Sequence, residues 1–169
     1  LEKLPIQSVH DYPKRLEKAM EYVNRGGINV ILTPGRYNSA FYEHSYLAKE
    51  SGAILASGDD LVVEKDKLYL KTYSGKKARV GAVYRRLDDE ALDPIEFNPD
   101  SLIGVSNITQ VYRSGNVAIM NSIGNGIADD KGIYYFVPEM IRYYMKEEPI
   151  LQNAPTYLAF FEKDRNHIL

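Results

Sequence analysis

The order of apolar and polar residues in the first third of the chain alternates between a helical and a strand-like pattern. Leu16, Met20 and Val23 recur at spacings of four and three residues, which predicts a helix with one apolar face. The apolar run that ends at Thr33 is short and continuous, as in a buried strand. The elements predicted here are a helix over 13–24, a strand over 29–33, a helix over 39–49 and a strand over 53–56. Strands and helices that alternate through short links are typical of a parallel sheet.

The rest of the chain adds a hairpin, two strands and two helical stretches. Apolar runs at 61–63 and 68–70 flank a polar turn at 64–67, which is a hairpin pattern. The other predicted elements are a strand over 80–84, a helical stretch over 98–114, a strand over 117–120, a helix over 129–146 that Pro138 should kink or restart, and an irregular segment beyond 149. The sequence therefore predicts a three-layer α/β domain with a mostly parallel sheet and an added β-hairpin.

Composition narrows the class of protein. The chain has 169 residues, of which 44% are hydrophobic and 26% charged, with a formal net charge of −2, so we expect a globular domain without nucleic acid as a partner. Cysteine is absent, which excludes disulfides, thiolate metal sites and cysteine nucleophiles. No apolar run approaches the ~20 residues that cross a bilayer and no signal peptide opens the chain, so we expect no membrane partner and a cytoplasmic location. The histidines lack metal-ligand spacing, and we expect no metal bound to this chain.

A first polar cluster follows the strand at 29–33. It joins that strand to a helix N-terminus, where backbone N–H groups and the helix dipole suit an anion. Its candidate substrate-binding residues are Arg36, Tyr37, Asn38 and Ser39. The alternative is an ordinary turn in which Asn38 or Ser39 caps the helix.

A second cluster follows the strand at 80–84. Neighbouring residues of a strand point to opposite faces, so one of two consecutive arginines should be buried, where its charge needs a partner. Guanidinium groups bind carboxylate or phosphate through two hydrogen bonds. The candidate substrate-binding residues are Arg85, Arg86, Asp88 and Asp89. The alternative is a structural cluster of ion pairs.

A third cluster follows the strand at 117–120 and opens a helix. Its glycines allow a close approach of backbone to a ligand. Lys131 lies in the first helical turn, where the dipole disfavours a cation unless an anion is near. The candidates are Asn121 and Ser122 for the substrate and Gly124, Asn125, Gly126, Asp130 and Lys131 for a nucleotide. The alternative is a plain helix start capped by Asp129 or Asp130.

These clusters occur in an order that resembles a known family. Residues 31–44 are similar to the opening motif of circularly permuted ATP-grasp proteins, and residues 84–89 with 92–94 to their second motif. Residues 128–157 are similar to the third motif. This family is described as similar to glutathionylspermidine synthase, whose relatives join a carboxylate to an amine through an acyl phosphate made from ATP.

The resemblance implies a Rossmann-like, pre-ATP-grasp substrate-binding domain. It implies that Arg86 matches an arginine that holds a substrate in glutathione synthetase, and that Lys131 matches a lysine that contacts ATP. Leu87, Asp88 and Asp89 replace the glycine and tyrosine that follow the arginine there, which leaves the identity of the substrate open. ATP and Mg²⁺ are implied as cofactors of a full-length parent, without stable binding to this chain alone.

The resemblance also implies how the chain is organised. We expect an N-terminal helical extension over 1–28, the Rossmann-like domain over 29–157 and a linker over 158–169 that leads to ATP-grasp domains of the same parent. Both ends look like cuts in a longer protein. The implied function is substrate binding for an ATP-dependent carboxylate–amine ligase, with a small-molecule carboxylate or amine as ligand, in peptide or polyamine conjugation. The alternatives are a stand-alone anion-binding module and a partner-binding scaffold.

Overall fold

A computed structural model describes residues 8–169 of the protein. The helices are α1 (Tyr12–Val23), α2 (Phe41–Ser51), α3 (Asp89–Leu92), α4 (Ile108–Arg113), α5 (Lys131–Met140) and α6 (Glu162–Ile168). The strands are β1 (Ile28–Leu32), β2 (Ile54–Ala56), β3 (Leu61–Glu64), β4 (Lys67–Lys71), β5 (Lys77–Arg85) and β6 (Ala118–Met120). Short 3₁₀ turns cover Gly58–Asp60 and Asn125–Asp129, and a π turn over Ile141–Met145 continues α5.

The six strands form one mixed sheet with β5 near its centre. The path through the sheet is β2-β1-β5-β4-β3, and β6 also pairs with β5. β1 pairs in parallel with β2 and with β5, and β5 pairs in parallel with β6. The hairpin β3–β4 is antiparallel and joins β5 in antiparallel fashion. The α/β class and the hairpin are confirmed, whereas the hairpin makes the sheet more mixed than the prediction of a mostly parallel sheet.

Alternation along β1 divides the core between two faces of the sheet. Val30 and Leu32 pack on one face with Ile108 and Val111 of α4. Ile31 packs on the other face in a cluster that α1 and α2 complete, with Leu16, Met20, Leu47, Ala48, Ala82, Tyr84 and Ala118. Helices on both faces of a sheet give three layers, as the strand–helix pattern predicted.

The predicted helix over 98–114 is wrong for most of its length, because only Ile108–Arg113 is helical. The buried carboxylate of Asp93 accepts hydrogen bonds, each 3.0 Å long, from the N–H groups of Ile95, Asn107 and Thr109. These bonds hold the preceding segment as turns, and Asn107 takes a φ of +66° just before the helix. Backbone N–H groups that donate to a side-chain carboxylate are not available for hydrogen bonds within a helix, so the first predicted helical turns do not form.

Two further predictions near the end of the chain need correction. The helix predicted over 129–146 begins at Lys131, continues through Pro138 and changes to a π turn at Ile141. The segment beyond 149 is not irregular throughout, because it contains α6.

The chain divides into two compact units. The first ends at Ile123 and contains the whole sheet, and the second runs over Gly124–Leu169. In the second unit Tyr135 stacks on Phe161 and Phe161 also contacts Phe136 edge to face. Asp164, which is buried, accepts a hydrogen bond from the N–H of Leu158. The predicted ranges for an extension, a domain and a linker stay predictions.

Candidate functional site

The carboxyl ends of three parallel strands lie side by side in the first unit. Leu32 at the end of β1 pairs with Arg85 of β5, and Tyr84 pairs with Met120 at the end of β6. The loops that follow these strands therefore leave from the same edge of the sheet. In open α/β sheets this edge is where ligands bind.

Arg85, the last residue of β5, is buried and surrounded by acceptors of its own chain. Its guanidinium donates to the carbonyl oxygens of Leu87 at 2.7 Å, Asn121 at 2.8 Å and Ser122 at 2.9 Å. Nη2 also lies 2.7 Å from Oδ1 of Asp89. The prediction that one of the two arginines is buried and paired is confirmed. The predicted contact of Arg85 with a substrate stays a prediction.

Arg86 points the other way and lies partly exposed at the same edge. Its Nη2 donates to Oε1 of Glu43 at 2.8 Å, with side chains that are 28% and 53% exposed. Its guanidinium carbon lies 5.9 Å from the centre of the Tyr84 ring, and Nη1 lies 3.5 Å from the Tyr84 hydroxyl. Its backbone N–H donates to the carbonyl of Leu32 at 2.8 Å, which fixes the start of the side chain. Arg86 is thus a cation at the edge of the sheet with one exposed carboxylate as its partner.

Two uncharged groups flank this ion pair. Hydrogen bonding with the Tyr84 phenol, and then burial, raise the pKa of Tyr12, so its hydroxyl stays protonated at neutral pH. His44 is buried, and burial followed by the charge of Arg86 lowers its pKa below the ordinary 6.5, against an opposite effect of Glu43. The imidazole is therefore neutral at pH 7. Its Nδ1 lies 2.9 Å from Oγ1 of Thr33 and ties α2 to the end of β1.

The sequence did not lead us to predict Glu43 and Tyr12 as neighbours of Arg86, although the position of Glu43 could have been inferred. Glu43 lies in the first turn of the helix that follows β1, and the carboxyl ends of β1 and β5 meet in a parallel pair. Tyr12 comes from a helix that we assigned to an N-terminal extension. Only the packing of that helix on the sheet brings its first residue to this edge.

The loop after β1 places its four predicted residues in solvent. Arg36, Tyr37, Asn38 and Ser39 are all exposed. Asn38 does not cap α2 at the helix start, which is Phe41, because its Oδ1 accepts from the N–H of Ala40 at 2.9 Å. The N–H groups of Gly35 and Asn38 are also bonded within the loop, to Thr33 Oγ1 and to the Gly35 carbonyl. These backbone N–H groups already have partners, so a ligand at this loop would be bound mainly by the side chains.

The other predicted substrate residues divide into supporting and exposed groups. Asp89 pairs with Arg85 and begins α3, whereas Asp88 is exposed at the residue before that helix. Asn121 and Ser122 are exposed and contribute their carbonyl oxygens to Arg85. Arg85 thus joins the loop after β6 to the loop after β5, and their side chains at this edge stay candidates for ligand contact.

The predicted nucleotide residues belong to the second unit. Asp130 caps α5, because its Oδ1 accepts from the N–H groups of Gly132 at 2.7 Å and Ile133 at 3.1 Å. Lys131 follows this residue in the chain, begins α5 and is exposed. The predicted contact of Lys131 with a nucleotide phosphate stays a prediction. Gly124 takes a φ of +88°, and Gly124, Asn125 and Gly126 are exposed.

The second unit also presents apolar side chains to solvent. Tyr143, Tyr144 and Met145 in the π turn are exposed, as is Leu151. Within residues 124–169 no apolar side chain is buried. Exposed apolar side chains on this tyrosine-rich helical stretch are the feature that would favour the alternative of a partner-binding scaffold.

Two negative findings concern residues 8–169. No helix in this range is long and apolar enough to cross a membrane. In the same range no three His, Asp or Glu side chains are grouped so that they could hold a metal ion.

Comparison with known proteins finds longer relatives. An uncharacterized protein of Synechocystis sp. is 50% identical over 170 residues, which cover 98% of this chain and 35% of that protein. An uncharacterized protein of Mycobacterium tuberculosis is 40% identical over 170 residues, which cover 97% of this chain and 30% of that protein. A Frankia alni protein named "Putative glutamate--cysteine ligase 2-3" is 37% identical over 139 residues, covering 82% of this chain and 16% of that protein. The chain thus spans about a third of the length of the first two relatives.

A family model described as a circularly permuted ATPgrasp matches the chain over residues 1–169. The match includes the loops after β1, β5 and β6 and the start of α5. Motif order, fold and family model agree, and the chain belongs to the circularly permuted ATP-grasp family.

Proposed function

We propose that this chain is the substrate-binding segment of an ATP-dependent ligase that joins a carboxylate to an amine. Arg86 is the residue that binds the carboxylate of the substrate. Arg85, Asp89 and the carbonyl oxygens of Asn121 and Ser122 hold the loops around it in place.

One observation carries this proposal. Arg86 is a partly exposed guanidinium at the carboxyl ends of the parallel strands β1 and β5, and its ionic partner Glu43 is itself half exposed. A cation held this way exchanges one carboxylate for another at low cost, since exposed ion pairs contribute only about 0–1 kcal/mol. The buried ion pair of Arg85 lacks that freedom, because each of its acceptors belongs to the fold.

ATP and Mg²⁺ in the parent protein would supply phosphoryl transfer to the carboxylate. Among the described residues Lys131 fits a contact with nucleotide phosphates, because it is an exposed cation at a helix start. The carboxylates near it do not fit a magnesium site: Asp130 is engaged as the cap of α5, and no metal-binding cluster occurs over residues 8–169. We therefore assign no step to a metal on this chain.

The test is equilibrium binding to the 169-residue chain. L-glutamate is the first carboxylate to titrate, because two relatives, from Frankia alni and Frankia casuarinae, are named putative glutamate--cysteine ligases. Arg86→Ala should weaken its binding by about 10–100-fold, the effect of losing a charge-assisted hydrogen bond of about 1.5–3 kcal/mol. Lys131→Ala should weaken binding of ATP and leave glutamate binding unchanged.

Two controls keep the interpretation clear. Arg113→Ala removes a guanidinium that pairs with Glu96 on the surface, and Lys163→Ala removes an exposed lysine of the second unit. Both variants should bind like the wild type. Equal affinity of Arg86→Ala and wild type for glutamate, at matched melting temperatures, would refute the assignment of Arg86.

A further inference from the structure

The ion pair between Arg86 and Glu43 places two opposite charges in contact at the ligand-binding edge. Nη2 of Arg86 and Oε1 of Glu43 are 2.8 Å apart, and both side chains reach solvent. Arg86 extends from the end of β5, whereas Glu43 extends from the first turn of α2. The two charges therefore come from separate elements, and the side chains can move apart without disturbing either backbone.

Two groups beside the pair carry no charge at neutral pH. Tyr12, Tyr84 and His44 lie around the pair, with the phenol of Tyr12 protonated and the imidazole of His44 neutral at pH 7. Arg85 is close in sequence, but its charge faces the opposite side of the strand, where Asp89 neutralises it. A ligand that enters between Arg86 and Glu43 thus meets one cation and one anion with a net charge of zero.

We propose that this pair recognises the head group of an α-amino acid. The α-carboxylate of the ligand takes the place of Glu43 on Arg86, and its α-ammonium takes the place of Arg86 on Glu43. One ion pair is replaced by two, and the charge of the site stays balanced. A ligand that carries only a carboxylate satisfies Arg86 but leaves the Glu43 carboxylate without its partner.

This inference rests on the proposed function and deepens it, because it names the substrate class of the same site. A head group held at both charges is bound and not activated, so a different carboxyl or amine of the ligand is the one that reacts. Arg86 and Glu43 act together, and the preference for an ammonium group depends on Glu43 alone.

The experiment compares L-glutamate with glutarate, which has the same two carboxylates and no ammonium. Each is titrated into the 169-residue chain at low salt, with binding followed by backbone amide shifts in NMR spectra. Wild type should bind glutamate about fivefold more tightly than glutarate, as expected for one partly exposed charge pair worth about 1 kcal/mol. Amides of α2 and of the end of β5 should shift.

Glu43→Gln should abolish this preference while it retains the shape of the side chain. Glu50→Gln is the matched control at the other end of α2, where the carboxylate lies 3.9 Å from Nζ of Lys49, and it should keep the preference. The melting temperature of both variants confirms that they fold. The affinity of Glu43→Gln for glutarate should rise, because Arg86 no longer has a competing carboxylate.

The outcomes separate the two proposals. One outcome would support Arg86 as the carboxylate-binding residue and refute recognition of the amino-acid head group. In that outcome Arg86→Ala weakens the binding of both ligands, but the wild type shows no preference for glutamate, or Glu43→Gln keeps that preference. If Arg86→Ala changes neither affinity, or neither ligand binds the wild type, both proposals fail.

Discussion

Replacing Arg85 should cost the fold far more than replacing its neighbour Arg86. The side chain of Arg85 is 7% exposed, and its guanidinium contacts three carbonyl oxygens and the carboxylate of Asp89. Arg85→Ala removes the cation and leaves Asp89, which is 27% exposed, without that partner. Removal of one member of a buried ion pair costs about 3–5 kcal/mol.

Two features decide where in that range the effect should lie. Asn121 and Ser122 are exposed, so water can replace the arginine at their carbonyl oxygens. Asp89 is partly exposed, which reduces the penalty for its unpaired charge further. We therefore expect about 3 kcal/mol for Arg85→Ala. Arg85→Lys keeps the charge but cannot span all of the acceptors from a single nitrogen, so it should cost about 1–2 kcal/mol.

The assay is urea unfolding, followed by circular dichroism and tyrosine fluorescence. With an m-value of about 2 kcal/mol/M, a loss of 3 kcal/mol moves the midpoint by about 1.5 M. Arg86→Ala is the matched control and should cost at most about 1 kcal/mol, because its pair with Glu43 is exposed. A loss below about 1 kcal/mol for Arg85→Ala, or an equal loss for Arg86→Ala, would refute the division of roles between the two arginines.

Two smaller predictions concern other hydrogen bonds in the protein. The pKa of His44 is lowered in the folded chain, so the unfolded chain binds the extra proton first as the pH falls below about 6.5, and stability should decrease there. His44→Asn, whose amide can keep the bond to Thr33, should reduce this loss of stability between about pH 7.5 and pH 5.5, as measured by urea unfolding. An unchanged dependence of the free energy of unfolding on pH would show that His44 is not its origin. Asp130→Ala should weaken the start of α5 by about 1 kcal/mol. Hydrogen exchange at Gly132 and Ile133 measures this loss, and protection equal to that of wild type would show that the cap is dispensable.

Local patterns along the chain predicted most of the sheet. Each strand of the first unit contains a short apolar run, and Pro or Gly residues lie near the ends of several strands. Periodicity and turn residues were therefore enough to predict these strands. The consecutive arginines after β5 were predicted to face opposite ways, because alternation is a property of any strand. The local pattern could not show which of the two arginines would be buried. Burial of Arg85 depends on carbonyl oxygens of the loop after β6, which is distant in the sequence.

Interactions between distant residues account for what the sequence did not predict. Asp93 binds N–H groups 14 and 16 residues later, and no local pattern distinguishes this carboxylate from an ordinary helix-start residue. Glu43 meets Arg86 across 43 residues because β1 and β5 are neighbours in the sheet. The polar residues at 98–101 suggested the start of a helix, but hydrogen bonds to Asp93 hold much of the segment that follows as turns.

The position of β5 in the sheet has a consequence for the synthesis of the protein on the ribosome. β1 and β2 form one pair and β3 and β4 another, and β5 lies between the two pairs although it follows all four strands in the chain. A nascent chain that has emerged only as far as Lys76 therefore holds two separate ribbons with no ladder between them. Emergence of Lys77–Arg85 completes the ladder on both sides at once. Stretches of rare codons just after Arg85 would give this joining strand time to insert, whereas a pause before Lys77 would prolong the exposure of two unmatched strand edges, those of β1 and β4.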